Sequence, residues 1–111
     1  MDIHKDSSKM VIEWLKFMVA PQSREKFIEK DAEIWTSLLA SYPGFLGKEV
    51  WLNPEIPEEV VLIIYWKTQD EWKSIPHSVL EETERKFSQA IGEYEYRLLE
   101  AAEYQVSNKH F

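Results

Sequence analysis

Apolar and polar residues along this chain follow two different periods, and the points where the period changes mark out its elements. From Val60 to Lys67 the sequence reads Val-Val-Leu-Ile-Ile-Tyr-Trp-Lys, with acidic residues before it and Thr68-Gln69-Asp70-Glu71 after it. Side chains of a strand point alternately to its two faces, so Val60, Leu62, Ile64 and Trp66 share one face and Val61, Ile63 and Tyr65 the other. Both faces are apolar, which predicts a central strand covered by a different layer on each side. Met10 to Val19 has the same character. Val11, Glu13, Leu15, Phe17 and Val19 share one parity, and Met10, Ile12, Trp14, Lys16 and Met18 the other.

After Ala20-Pro21-Gln22-Ser23, the apolar positions Phe27, Ile28, Trp35, Leu38, Leu39 and Tyr42 recur at three- and four-residue spacing. That spacing predicts an amphipathic helix capped by Ser23 and running to about Ser41. Tyr42-Pro43-Gly44 ends it, and Phe45 to Asn53 reads as an edge strand, where Lys48 and Glu49 discourage stray pairing. Pro54 to Glu59 closes a hairpin onto the central strand. Thr68 and Glu71 stand at capping-box spacing and start a short helical segment, which Pro76 interrupts. Ser78 and Glu81 repeat the spacing before a stripe of Val79, Leu80, Phe87, Ala90 and Ile91, and Gly92 stops that helix. Tyr94 to Val106 reads as a last strand of single parity, with Tyr94, Tyr96, Leu98, Ala102, Tyr104 and Val106 on one side.

The order β-α-β-β-α-β predicts a ferredoxin-like α+β domain, two split βαβ units forming a four-stranded antiparallel sheet. Right-handed crossovers place both helices on one face of that sheet. The domain spans 10–106, between tails at 1–9 and 107–111. The open, apolar face of the sheet calls for a second copy, so the expected assembly is a homodimer forming an α+β barrel.

Composition narrows the functional classes. The chain has 111 residues, no cysteine and a formal charge of −7. Thiolate nucleophiles, disulfides and cysteine-ligated metals are excluded, and a reducing, cytoplasmic setting is expected. The negative charge argues against nucleic acid and anionic membrane surfaces, and no apolar run is long enough to span a bilayer. Three histidines, with His4 and His110 in the tails, give no metal constellation, and no glycine-rich phosphate loop is present. No cofactor is expected from the residues.

Pro43-Gly44-Phe45-Leu46-Gly47, together with Tyr65-Trp66-Lys67-Thr68-Gln69-Asp70-Glu71-Trp72 and Ile75-Pro76-His77, resembles the antibiotic-biosynthesis monooxygenase family of the dimeric α+β barrel superfamily. The likeness spans Met10 to Val106 and is similar in particular to a subset of small cyanobacterial proteins. It implies the same fold and dimer, and a family that includes cofactor-free oxygenases of aromatic polyketides and haem-degrading enzymes. The haem-degrading pattern is matched at Trp72, but Leu15 stands where those relatives have an Asn and Glu82 where they have the haem-ligating His. The resemblance therefore points away from haem.

Two residues are candidate bases. His77 lies just ahead of the expected start of the second helix, where the dipole disfavours added positive charge and a neutral imidazole accepts a proton. Glu13 lies mid-strand among apolar neighbours, where burial raises the pKa of a carboxylate, unless Lys16, Lys67 or Arg97 pairs with it. Trp14, Trp66 and Trp72 are candidate walls of a substrate cavity between the sheet and the second helix. With such a base and such walls, the expected chemistry is cofactor-independent oxidation of a small aromatic substrate, a phenol or quinol. The alternative is a non-enzymatic dimeric binding or interaction module, which a packed rather than open cavity would favour.

Overall fold

The structure is a computed structural model that describes residues 9–108. Most of both expected tails, with His4 and His110, lies outside that range. Strand β1 (Val11–Val19) is followed by a single turn of tight helix (Pro21–Ser23) and by α1 (Arg24–Lys30). The helix continues through π-type turns (Asp31–Thr36) into α2 (Ser37–Leu39). Hairpin strands β2 (Phe45–Leu52) and β3 (Glu59–Trp66) come next, then the short α3 (Gln69–Lys73), the long α4 (His77–Ile91) and β4 (Tyr96–Gln105). The sheet order is β2-β3-β1-β4 with every neighbouring pair antiparallel. This is the predicted ferredoxin-like α+β fold, and no helix among the described residues is long and apolar enough to cross a membrane.

Local chemistry explains most of the boundaries. Thr68 caps α3, its hydroxyl accepting from the Glu71 amide at 3.1 Å. Gly92 takes φ +106° after α4, a conformation that a side chain would strain. Gly44 is buried directly beneath the Glu71 side chain, where a Cβ would collide with it. Other expectations need correction. Ser23 does not cap α1 with its side chain; its hydroxyl donates instead to Glu95 at 2.5 Å, tying the start of the helix to the approach of β4. Ser78 lies inside α4, because Pro76 takes the cap position and lends its carbonyl to the amides of Val79 and Leu80.

The parity of β4 also breaks. Phe17 pairs with Leu98 but Lys16 pairs with Glu100, so a bulge at Leu99 moves the following residues to the opposite faces. Tyr96 and Leu98 therefore face the helices while Ala102 and Tyr104 do not.

The helices cover the face carrying Val11, Glu13, Leu15, Phe17 and Val19 of β1 and Val60, Leu62, Ile64 and Trp66 of β3. Buried residues there form two clusters. One gathers Val19, Phe27, Val60, Leu62, Phe87 and Ile91, and its aromatic rings stack edge to face, with Phe27 and Phe87 5.2 Å apart. The other gathers Val11, Leu39, Ile64, Trp66 and Ile75. Among the described residues, Leu15 and Trp35 pack against both clusters. The opposite face carries Ile12, Trp14, Val61, Ile63, Tyr65 and Trp51, and among the described residues no helix packs over it.

Candidate functional site

Between the two clusters the helices stand off the sheet and leave a cavity of about 930 Å³. Its floor is built by cross-strand register. Ile64 of β3 pairs with Glu13 of β1 on one side and with Lys48 of β2 on the other, so the three side chains form a row across the sheet beneath the helices. Leu15, Phe17 and Leu62 continue the floor. Phe27, Asp31, Trp35 and Leu39 line it from the first helical layer, and Trp72, Ile75, Leu80 and Phe87 from the second. Towards Tyr96 and Arg97 the lining becomes polar, with Glu84, Arg85, Ser88 and Glu93.

Glu13 is a half-buried carboxylate on the cavity floor. Among the described residues none reaches it at ion-pair distance, and Lys16, an expected partner, binds Glu59 at 3.5 Å instead. Burial holds its pKa above the ordinary glutamate value of 4.5, and the Trp66 indole N–H and the charges of Lys48 and Lys73 oppose that rise. The Trp66 Nε1 is itself buried without a hydrogen-bond partner. The two groups attract each other without meeting at hydrogen-bond geometry, which leaves the carboxylate free to accept a proton from elsewhere.

Across Ile64 from Glu13 lies a buried ion pair. Lys48 Nζ is 2.6 Å from Asp31 Oδ2, and the two side chains are 5% and 3% exposed. Burial raises the pKa of Asp31, with Lys48 opposing the rise. Asp31 opens the π-type turns, whose wider winding changes which side chains face the sheet. Sequence reasoning misses this pair. Asp31 sits four residues from both Phe27 and Trp35, in the middle of the apolar stripe, and that position is the available signal. Lys48 reads in sequence as an edge-strand charge; it is on an edge strand but turns inward.

The other candidate residues separate. His77 is the first residue of α4 and sits at the rim, its side chain 84% exposed and its Nε2 3.3 Å from Glu81 Oε2. Trp72 lines the cavity, partly covered by the Lys73 ammonium 4.0 Å above its ring. Trp66 is fully buried in the core beside the cavity rather than in its wall. Trp14 is not in the cavity at all, because it pairs with Ile63 and faces the uncovered side of the sheet. Trp35, part of the helix stripe, is the wall residue that sequence reasoning overlooks.

The positions compared with haem-degrading enzymes do not suit a haem. Leu15 lines the cavity with an aliphatic side chain, and Glu82 points to solvent, where Arg85 grips its carboxylate at 2.6 and 2.8 Å. Neither supplies an axial ligand to the cavity.

Fold and cavity together define a class, a ferredoxin-like α+β domain with acid–base groups enclosed between sheet and helices. Residues 10–78 match the antibiotic biosynthesis monooxygenase family, and the chain belongs to it. Its fold is similar to that of SnoaB, a cofactor-independent oxygenase from Streptomyces nogalater, at 17% identity over 91% of this chain and 96% of that one, with a TM-score of 0.66. A dimeric ferredoxin-like protein from an uncultured marine organism is 18% identical over 92% and 99% of the two chains, with a TM-score of 0.68. A candidate monooxygenase from Shewanella loihica PV-4 is 20% identical over 94% and 100%, with a TM-score of 0.62. At such identities the likeness speaks for the fold alone. No curated protein matches the chain.

Proposed function

We propose that the protein is a homodimeric, cofactor-independent oxygenase that oxidises a small phenol or quinol with O2, and that Glu13 rather than His77 is the base. One observation carries this reading. The space between sheet and helices is open, apolar-walled and about 930 Å³, and on its floor stands a half-buried carboxylate, Glu13, with no ion-pair partner among the described residues. A non-enzymatic module with a packed interior would not need such a space. Phenols are weak acids, with a pKa near 10, and a carboxylate made more basic by burial is a better match to them than one in water.

For a phenol with a free ring position the steps balance. Glu13 takes the hydroxyl proton, and the electron-rich anion gives one electron to O2. The resulting radicals couple, forming a carbon–oxygen bond at the ring, and Glu13 returns its proton to the peroxide. Glu13 then removes the hydrogen on the same carbon as the O–O bond breaks. One oxygen stays as a carbonyl and the other leaves as hydroxide, which takes up that proton to become water. The product is a quinone. The protein's share is to hold the ring, move the proton and keep bulk water out.

The uncovered sheet face supports the homodimer. Met18, Trp51 and Tyr104 are 39%, 50% and 57% exposed there, beside the already buried Val61 and Ile63, an apolar area that a lone protomer would leave in water. The chemical reading is tested by O2 uptake with hydroquinones, naphthols and anthrones. Uptake that occurs in wild type and falls in Glu13→Gln supports it. A wild-type protein that consumes no O2 with any of them, and binds none, refutes it.

A further inference from the structure

We propose that Lys48, held by Asp31, is the anion-holding group of the cavity and fixes the substrate as a phenolate. The proposal rests on the oxygenase reading for its biological meaning but not for its test, which reads binding alone.

A buried ion pair is weak evidence for stability, because the cost of desolvating both charges roughly cancels their attraction. Its position has to be explained by something else. Lys48 and Asp31 both line the cavity, beside apolar residues of the two clusters. Of the cations in that lining, Lys48 is the buried one, whereas Arg85 and Arg97 are exposed at its edge. An ammonium carries three N–H donors and Asp31 occupies one direction. Among the described residues no second acceptor lies within hydrogen-bond distance of Lys48.

Register then gives the geometry. Glu13 and Lys48 flank Ile64 on adjacent strands, so their backbones are about 10 Å apart and their side chains rise on the same face. One aromatic ring lying over Ile64 presents its edges to a carboxylate on one side and an ammonium on the other. Glu13 takes the proton and Lys48 faces the negative charge that remains. In a low-dielectric cavity that arrangement favours the ionised ligand far more than it would in water. Asp31 is the positioning residue. It keeps the lysine stem folded over the floor, and its own charge prevents Lys48 from binding anions indiscriminately. The rim is mixed, with Glu81, Glu84 and Glu93 beside Arg85 and Arg97, and does not favour carboxylate ligands that arrive already charged.

The probe is 4-nitrophenol, whose ionised form is yellow, bound to the full-length protein. Binding and bound-state ionisation are read together from absorbance and tryptophan fluorescence across a pH series. The expected result is that the bound probe ionises at lower pH than free probe, by about one pH unit or more, because the phenolate binds at least about tenfold more tightly than the phenol. Lys48→Met alone leaves Asp31 buried without its partner and risks unfolding, so the informative variant is Lys48→Met combined with Asp31→Asn, which is neutral. It should keep the thermal midpoint and lose the phenolate preference, whereas Lys48→Arg should retain it. A role confined to stability would move the midpoint and leave the ionisation of the bound probe as it is in wild type. If wild type binds phenol and phenolate equally, binds neither, or if the double variant keeps the preference, the assignment of Lys48 is overturned. O2 uptake with the hydroquinone and anthrone panel decides separately whether the oxygenase reading stands.

Discussion

The two faces of the sheet are made by the same strands and are about equally apolar in sequence, yet they present different surfaces. Beneath the helices, the face is divided into two packed clusters with charged side chains, Glu13 and Lys48, in the gap. On the other side, Val61 and Ile63 are buried, while Trp51 and Met18 stand exposed. The polar groups there are surface contacts such as Tyr65 to Glu49 at 3.0 Å and Trp51 to Glu49 at 3.1 Å. A charge enclosed by two layers has its pKa moved by burial and is available for chemistry, whereas an exposed apolar ridge is available for association. One face is therefore suited to a ligand and the other to a second copy.

The largest expected effect separates the faces by breaking the second. Trp51, 50% exposed and directed away from the helices, becomes a charge in the proposed interface in Trp51→Glu. An uncompensated charge in a buried interface costs about 3–5 kcal/mol, enough to convert a dimer to monomer at micromolar concentration in a sedimentation experiment. Next is Glu13→Gln on the covered face, expected to cut the rate of O2 uptake by about 10² to 10⁴ while leaving sedimentation unchanged. A smaller effect comes from a matched pair of truncations. Trp72→Ala should weaken ligand binding measured by fluorescence and leave the dimer intact, whereas Trp14→Ala should weaken the dimer and leave ligand affinity alone. If both change the same property, the two faces are not functionally separate.

The pH dependence of stability sharpens the contrast further. Folding raises the pKa of Glu13 above the ordinary 4.5, so the unfolded chain gives up that proton more readily. Stability from this group is therefore full below pH 4.5 and is lost as pH rises through the higher folded value. Glu13→Gln should melt with wild type in acid and above it near neutrality, by about 1.4 kcal/mol for each pH unit that separates the folded from the unfolded pKa. The smallest effect belongs to His77→Gln. A rim residue 84% exposed should leave both O2 uptake and stability nearly unchanged, and a large loss of rate would return the base assignment to His77.

Periodicity makes the fold readable because each strand and helix carries its own signal. Trp66 and Glu13 can be placed on faces of their strands from alternation alone. What alternation does not contain is register, the pairing that decides which face of one strand continues which face of the next. That is why sequence alone groups Trp14 with Trp66, although Trp14 pairs with Ile63 and Trp66 pairs with Val11. It is also why the Leu99 bulge is invisible in sequence and β4 reads there with a single parity. The Asp31–Lys48 pair is hidden for a related reason. Asp31 stands out by its place in the apolar stripe, but Lys48 reads as an ordinary edge-strand charge, and only the π-type turns and the register with Ile64 bring the two together. Glu13 is legible because a lone acid in an apolar strand conflicts with its surroundings wherever that strand is placed.

The central claim, one face for a ligand and the other for a partner, is tested most directly by native mass spectrometry of protein purified from its own host. The expected result is a species of two chains retaining one small aromatic molecule per chain. Trp51→Glu should abolish the two-chain species, and Trp72→Ala should keep the two-chain species but lose the ligand. A single-chain species that carries no small molecule, and takes up none from added hydroquinones or anthrones, would contradict the claim.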